Sequence, residues 1–104
     1  MTRFYAALLG GHLLPARLLD AMKRPVPGSH YLGATRPSYG LGLAEMTTSC
    51  GRVYGHEAIA TGYRTIAYAR PDGSRVALVM INIDETRVPQ SELELAADTA
   101  FCSR

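Results

Sequence analysis

Apolar residues at helical spacing predict a helix at the start of the chain. Phe4 and Leu8 share one helix face within residues 3–14, Thr2 can cap the first turn, and Gly10 ends the pattern. These side chains have no catalytic chemistry, so we expect this helix to contribute packing only.

A second helix follows, because Leu18, Leu19 and Met22 form one apolar stripe after Pro15, which suits a first helical turn. Residues 25–38 contain several Pro and Gly without periodicity and predict a loop. A lone His30 in that loop is expected to be solvated.

Four strands are predicted downstream. Residues 39–46 alternate bulky and small side chains, residues 53–58 form a short strand, and residues 64–70 alternate again. Residues 76–83 are almost continuously apolar, which is typical of a strand covered on both faces. Pro71-Asp72-Gly73-Ser74 predicts the turn between the last two strands.

A closing helix is predicted over residues 89–101. Its inward positions are apolar and its outward positions acidic: Leu93, Ala96, Ala97 and Ala100 against Glu92, Glu94 and Asp98. The order of elements predicts an α+β fold, with an antiparallel sheet of about four strands, two N-terminal helices and a C-terminal helix packed on it.

Composition narrows the functional classes. A chain of 104 residues forms one domain at most, and its net charge of +2 is too small to indicate nucleic-acid binding. No apolar stretch approaches membrane-spanning length. His12, His30 and His56 lack metal-ligand spacing, so we expect no metal or other cofactor. Asp84-Glu85 is expected to be a solvated turn rather than a paired-carboxylate site.

One stretch carries a family resemblance. Tyr54-Gly55-His56, a Gly62-Tyr63 pair and the Pro-Asp-Gly hairpin together resemble the C-terminal part of the serine β-lactamase and D-alanyl-D-alanine carboxypeptidase (penicillin-binding protein-like) superfamily. The actinobacterial carboxypeptidase branch is the most similar. The resemblance covers nearly the whole chain but only about the last third of such an enzyme, which implies a truncated β-lactamase-like domain over residues 1–104.

The resemblance also assigns site residues. It implies that residues 53–58 form the strand lining the active site, with His56 as the catalytic basic residue and Tyr54, His56, Glu57 and Ala58 as substrate-binding residues. Glu57 stands where the family has Thr, Ser or Gly, and a glutamate there would repel a substrate carboxylate. Ala58 replaces a glycine, and its Cβ narrows the approach to the strand.

The two cysteines also match family positions. Ser49-Cys50-Gly51 and Phe101-Cys102 resemble paired segments of the carboxypeptidases, which implies a disulfide between Cys50 and Cys102. The alternative is two free thiols in a reducing compartment.

The other two catalytic motifs of that superfamily are missing. No serine is followed three residues later by lysine, although a serine nucleophile needs the lysine amine one helical turn away. No tyrosine is followed two residues later by asparagine. Hydrolysis by this sequence alone is therefore not expected.

Three hypotheses remain. The chain is a non-catalytic binding or accessory module, a pseudoenzyme; or it is a fragment or split half of a serine hydrolase whose nucleophile is supplied elsewhere; or it is an independent enzyme that uses His56 and Glu57. The third is disfavoured, because neighbours on a strand point to opposite faces.

Exposed sheet surface predicts a homodimer or a partner chain that covers the sheet. The ligand would be a peptide or a small molecule, and no nucleic-acid or membrane partner is expected.

Gly10, Gly11 and His12 interrupt the first apolar stretch, which argues against a secretion signal. The protein is expected to be cytoplasmic if native as given, and extracellular if it is a fragment of an exported enzyme.

Overall fold

The computed structural model describes residues 1–83 and 86–103, so the turn predicted at Asp84-Glu85 lies outside the described residues. The elements, in chain order, are α1 (Thr2–Leu9), α2 (Ala16–Lys23), a short 3₁₀ helix η1 (Tyr31–Gly33), β1 (Ala44–Thr48), β2 (Gly51–Ala60), β3 (Tyr63–Ala69), β4 (Val76–Ile81) and α3 (Gln90–Cys102). None of the helices in these two segments is both long and apolar enough to cross a membrane.

The strands form one antiparallel sheet in the order β1-β2-β3-β4. Each strand therefore pairs with its neighbours in sequence, through short turns that include Thr61-Gly62 and the predicted Pro-Asp-Gly turn. The predicted α+β class and the arrangement of helices around a four-stranded sheet are confirmed.

One face of the sheet packs against α1 and α2. The buried residues of this core come from both helices, from the segment before β1 and from β2 and β3: Tyr5, Leu8, Leu9, Leu19, Leu43, Tyr54, Ala67 and Ala69. Burying an aliphatic or aromatic side chain of this size contributes about 1.5–3 kcal/mol. This face therefore anchors the N-terminal helices on the sheet.

The opposite face packs against α3. Its buried core consists of Val53, Ile66, Tyr68, Leu93, Ala97 and Phe101. A disulfide between Cys50 and Cys102 joins the β1–β2 turn to the last turn of α3, across a sequence separation of 52. By the chain-entropy estimate, a loop of this length adds about 4 kcal/mol of stability.

The inward faces of the helices differ in detail from the predictions. In α1, Tyr5 and Leu9 are buried with Leu8, whereas Phe4 is 49% exposed. Thr2 is the first helical residue rather than a cap, so that prediction is wrong. The buried positions still have i, i+3, i+4 spacing, but they start one residue later, at Tyr5.

In α3 the predicted inward set is partly wrong. Leu93 and Ala97 are buried, whereas Ala96 and Ala100 are exposed and Phe101 takes their place. Phe101 lies edge-on to the Tyr68 ring at 6.3 Å, and a large ring at this position fills the core better than alanine would.

The strand predicted over residues 39–46 is wrong in its first half. Tyr39 forms only an isolated bridge with Ala44, and the chain between them is a tight turn. The prediction that glycine allows another backbone to approach is confirmed at Gly40, where an added Cβ would lie 2.1 Å from the Met22 carbonyl oxygen. The turn and this contact place the Tyr39 ring beside β2.

β2 and β4 also differ from their predicted extents. β2 is ten residues long, not six, and it runs from Gly51 to Ala60. β4 was expected to be covered on both faces, and α1 contacts it on one face and α3 on the other, although its residues are only partly buried. Met80 is 70% exposed. The continuous apolar pattern of β4 reflects helix packing on both faces, while its outer edge has no neighbour within the described residues.

Candidate functional site

The candidate site lies where β2 extends past its neighbour. Pairing with β1 ends at Gly55, opposite Ala44, whereas pairing with β3 continues to Ala60. From His56 onward, β2 therefore has a strand on one side only. Its other edge is bordered by the side chains of Tyr31 and Tyr39, which the preceding loop brings into contact with His56.

His56 is held by two hydrogen bonds. Its Nδ1 bonds to the Glu57 backbone carbonyl oxygen, and its Nε2 lies 2.9 Å from the Tyr39 hydroxyl. A carbonyl oxygen only accepts, so Nδ1 carries a proton and, in the neutral ring, Nε2 accepts the Tyr39 O–H. The imidazole is thus oriented before any ligand binds.

Tyr31 completes an aromatic cluster with Tyr39 and His56. The two tyrosine rings stack at 5.3 Å with planes 19° apart. The Tyr31 hydroxyl accepts the Glu57 backbone N–H at 2.7 Å. Burial raises the pKa of this hydroxyl, and the Glu57 N–H bond opposes part of that rise. Tyr31 therefore remains neutral near pH 7 and can serve as this acceptor.

These bonds occupy the backbone of Glu57 at the open edge. Its N–H is bonded to Tyr31 and its carbonyl oxygen to His56, so neither group is free to pair with an added strand. A peptide that binds along this edge must displace both side chains or pair with other residues.

The Glu57 carboxylate is turned into the protein. Glu57 is 9% exposed, and its Oε2 accepts from Gln90 Nε2 of α3. Gln90 Oε1 in turn accepts from Arg64 Nη2, while Arg64 Nη1 donates to the Val88 carbonyl oxygen at 2.6 Å. The carboxylate is thus bonded through Gln90 to a buried arginine, not to His56.

The four predicted substrate-binding residues are therefore not brought together. Tyr54 is buried and its hydroxyl donates to Glu45 at 3.3 Å, and Glu57 is buried toward α3. Only His56 and the exposed Ala58 are accessible at the open edge. Among residues 1–83 and 86–103, no three His, Cys, Asp or Glu side chains are grouped as metal ligands would be.

No family model matches the sequence. A solved structure does resemble it: the D-stereospecific amidohydrolase from a Streptomyces species, at 33% sequence identity and a TM-score of 0.74. This likeness supports a relationship to the β-lactamase-like serine hydrolases. It covers 99% of this chain but 29% of the amidohydrolase, so the chain spans less than a third of the length of that relative.

The residues around His56 could be predicted only partly from the sequence. Tyr39 and Tyr31 lie 17 and 26 residues from the groups they bond, His56 and Glu57, with no motif that links them. Arg64 did give a sequence signal, because the alternation of the strand puts it on the same face as Ile66. In the structure Arg64 is 1% exposed. A charged residue on an apolar face indicates a buried polar partner.

Proposed function

We propose that this chain is a non-catalytic binding or accessory module, a truncated relative of the serine D-Ala-D-Ala carboxypeptidases and β-lactamases, with the actinobacterial carboxypeptidases as the most similar branch. One observation carries the proposal. On the strand that matches the substrate-lining strand of such enzymes, the Glu57 N–H and carbonyl groups at the open edge are already bonded to Tyr31 and His56.

The chemistry of the sequence supports the same conclusion. Acyl transfer in this superfamily needs a serine nucleophile activated by a neighbouring base, and the 104 residues contain no Ser-x-x-Lys motif. His56 is the only candidate catalytic residue, and its Nε2 is engaged by Tyr39. A histidine without a nucleophile can orient or bind a ligand, but it cannot form the acyl-enzyme.

Binding would occur at the open part of β2. Ala58 is exposed there and Ile59 is 57% exposed, which gives a short apolar edge beside the aromatic cluster. A peptide or small molecule would bind next to His56 and compete with Tyr31 for the Glu57 N–H. The Tyr31→Phe variant, which lacks that hydroxyl, should therefore bind an edge ligand more tightly than the wild type.

Intact mass spectrometry after incubation with a reactive penicillin tests the lack of catalysis. We expect an unmodified mass. A penicilloyl adduct on this chain alone would overturn the proposal, because it would require a serine nucleophile without its lysine.

An NMR titration with an acyl-D-Ala-D-Ala peptide, on wild type and Tyr31→Phe, then tests binding. Absence of shifts at residues 56–60 in both proteins would refute the edge site.

A second candidate is favoured by the length of the relative. The amidohydrolase is matched over only 29% of its chain, so this protein would be a fragment or split half of a serine hydrolase, with His56 on the active-site strand. Co-expression with the remainder of the amidohydrolase tests this. Hydrolysis of a D-amino-acid amide that is lost in His56→Ala would support it; no activity and no complex would exclude it for this pair.

We also propose that the chain self-associates through its sheet. The outer edge of β4 has an apolar, uncharged sequence from Val76 to Ile81, and it carries none of the charges or prolines that usually protect an edge strand. Light scattering over a concentration series should give the mass of a dimer, and Met80→Lys, which places a charge at an exposed position of this strand, should shift it to a monomer. A monomer at every concentration would refute dimerisation.

A further inference from the structure

A second open space lies away from His56, between the η1 loop and α3. This cavity, the η1 cleft, has a volume of about 290 Å³. Its polar lining includes Tyr31, Arg36, Ser38, Glu45, Tyr68 and Glu94. The functional proposal above does not use it.

Tyr68 is the unusual member of this lining. Its side chain is 5% exposed, and its ring is fixed edge-on against Phe101. Within residues 1–83 and 86–103, its hydroxyl has no hydrogen-bond partner, although buried hydroxyls normally have one. In that same part of the chain, Arg64 Nε is the only unpartnered side-chain polar atom that is fully shielded. The Tyr68 hydroxyl therefore borders the open volume of the cleft.

The charges around this hydroxyl are negative. Burial and then the carboxylates of Glu94, Asp98 and Glu57, in that order, together raise the pKa of Tyr68 to about 12. The hydroxyl stays protonated at neutral pH and lies in a negative potential. Such a position favours a cationic ligand.

The two glutamates of the cleft are not equivalent. Glu45 is already paired with Arg36 at 2.7 Å and lies 4.0 Å from Arg52. Glu94 has no ion pair within the described residues, and one of its oxygens accepts from Gln90 at 3.0 Å. Glu94 is therefore the carboxylate available to a ligand.

We propose that the η1 cleft binds the primary ammonium group of a small ligand, with the Tyr68 hydroxyl and the Glu94 carboxylate as its acceptors. An ammonium group has three donors, which match a hydroxyl lone pair and a carboxylate. The rings of Tyr31 and Tyr68 line the same space and add an aromatic surface that favours cations. The cleft shares Tyr31 with the cluster at His56, but neither proposed acceptor belongs to that cluster.

The test is an NMR titration of the labelled protein at low ionic strength with two amines, n-butylammonium for a side-chain source and glycinamide for an α-amine. We expect saturable shifts around Tyr68 and Glu94 with at least one amine, and the responding amine identifies the source. Uncharged 1-butanol should give no such shifts. If neither amine produces saturable shifts, or if 1-butanol reproduces them, the proposal is wrong.

Two variants assign the acceptors. Tyr68→Phe removes only the hydroxyl, and Glu94→Gln removes the charge while keeping an acceptor for Gln90. Each should weaken amine binding about tenfold, which corresponds to about 1.4 kcal/mol. The matched controls Tyr63→Phe and Glu92→Gln change exposed residues outside the cleft and should bind like the wild type.

Circular dichroism establishes that each variant is folded before titration. If Tyr68→Phe does not fold, Glu94→Gln decides the outcome, because Glu94 is only partly buried and its replacement is less disruptive to the core. Wild-type affinity in a folded Glu94→Gln protein would overturn the assignment.

Discussion

The buried arginine offers the sharpest test of how the sheet and α3 are held together. Arg64 is 1% exposed, donates to the Val88 carbonyl and to Gln90, and leaves its Nε without a partner. Gln90 transmits the interaction to the Glu57 carboxylate. Arg64→Met keeps an unbranched apolar stem that ends near the position of Nε, and it removes every donor.

The loss of unfolding free energy expected for Arg64→Met follows from these contacts. Two hydrogen bonds from a charged donor contribute about 1.5–3 kcal/mol each, and the unpartnered Nε already costs about 1–3 kcal/mol that the variant recovers. Subtracting the midpoints of these two ranges gives a net loss of about 2.5 kcal/mol for Arg64→Met. Adding Glu57→Gln removes the buried carboxylate that the variant leaves uncompensated, so the double variant should lose less than the sum of the two single changes.

Urea unfolding followed by far-UV circular dichroism measures all three variants in one double-mutant cycle. We expect a coupling of more than about 0.5 kcal/mol between the two substitutions. If Arg64→Met is as stable as the wild type, or if the two losses add, then the Glu57–Gln90–Arg64 chain does not act as one unit and the reasoning fails.

Three further predictions concern the same fold. Replacing Cys50 and Cys102 by serine should lower the unfolding free energy by about 4 kcal/mol in urea titrations without changing the native circular dichroism spectrum; a loss under about 1 kcal/mol would contradict this. Gly55→Ala places a Cβ 1.9 Å from a carbonyl oxygen of the facing strand and should cost about 3 kcal/mol or prevent folding, whereas Ala58→Gly at the exposed edge should cost less than about 1 kcal/mol. Because the Tyr68 pKa is raised to about 12, the stability that the shift contributes is complete below pH 10 and is lost between pH 10 and 12. Tyr68→Phe should therefore flatten the fall of the unfolding free energy with pH over that range, and an unchanged slope would contradict this prediction.

Elements were predictable where local pattern and burial agree. The β3–β4 hairpin has alternating strands and a turn made of residues that favour turns, so its existence followed directly. The turn before β1 could not be predicted in the same way, because the alternation of Tyr39, Leu41 and Leu43 is compatible with either a strand or a turn. Only the contact with the Met22 carbonyl decides between the two. Leu41 is 63% exposed, which no alternating strand pattern would indicate.

The candidate site was predictable only in part. The family resemblance indicated the strand that carries His56, but not the side chains that occupy its edge. Tyr31 and Tyr39 reach that edge through a loop without periodicity, and their positions depend on tertiary packing. The direction of the Glu57 carboxylate was also inaccessible, because it depends on Gln90 from a helix 33 residues away.

The disulfide also gives the fold a mechanical property. If the two ends of the chain are pulled apart, the segment between Cys50 and Cys102 lies inside a covalent loop and cannot extend. At about 3.5 Å per residue, the separation of 52 hides about 180 Å of contour length. Under force, α1, α2 and the loop that carries the aromatic side chains would detach first, while β2, β3, β4 and α3 remain enclosed until the bond is reduced.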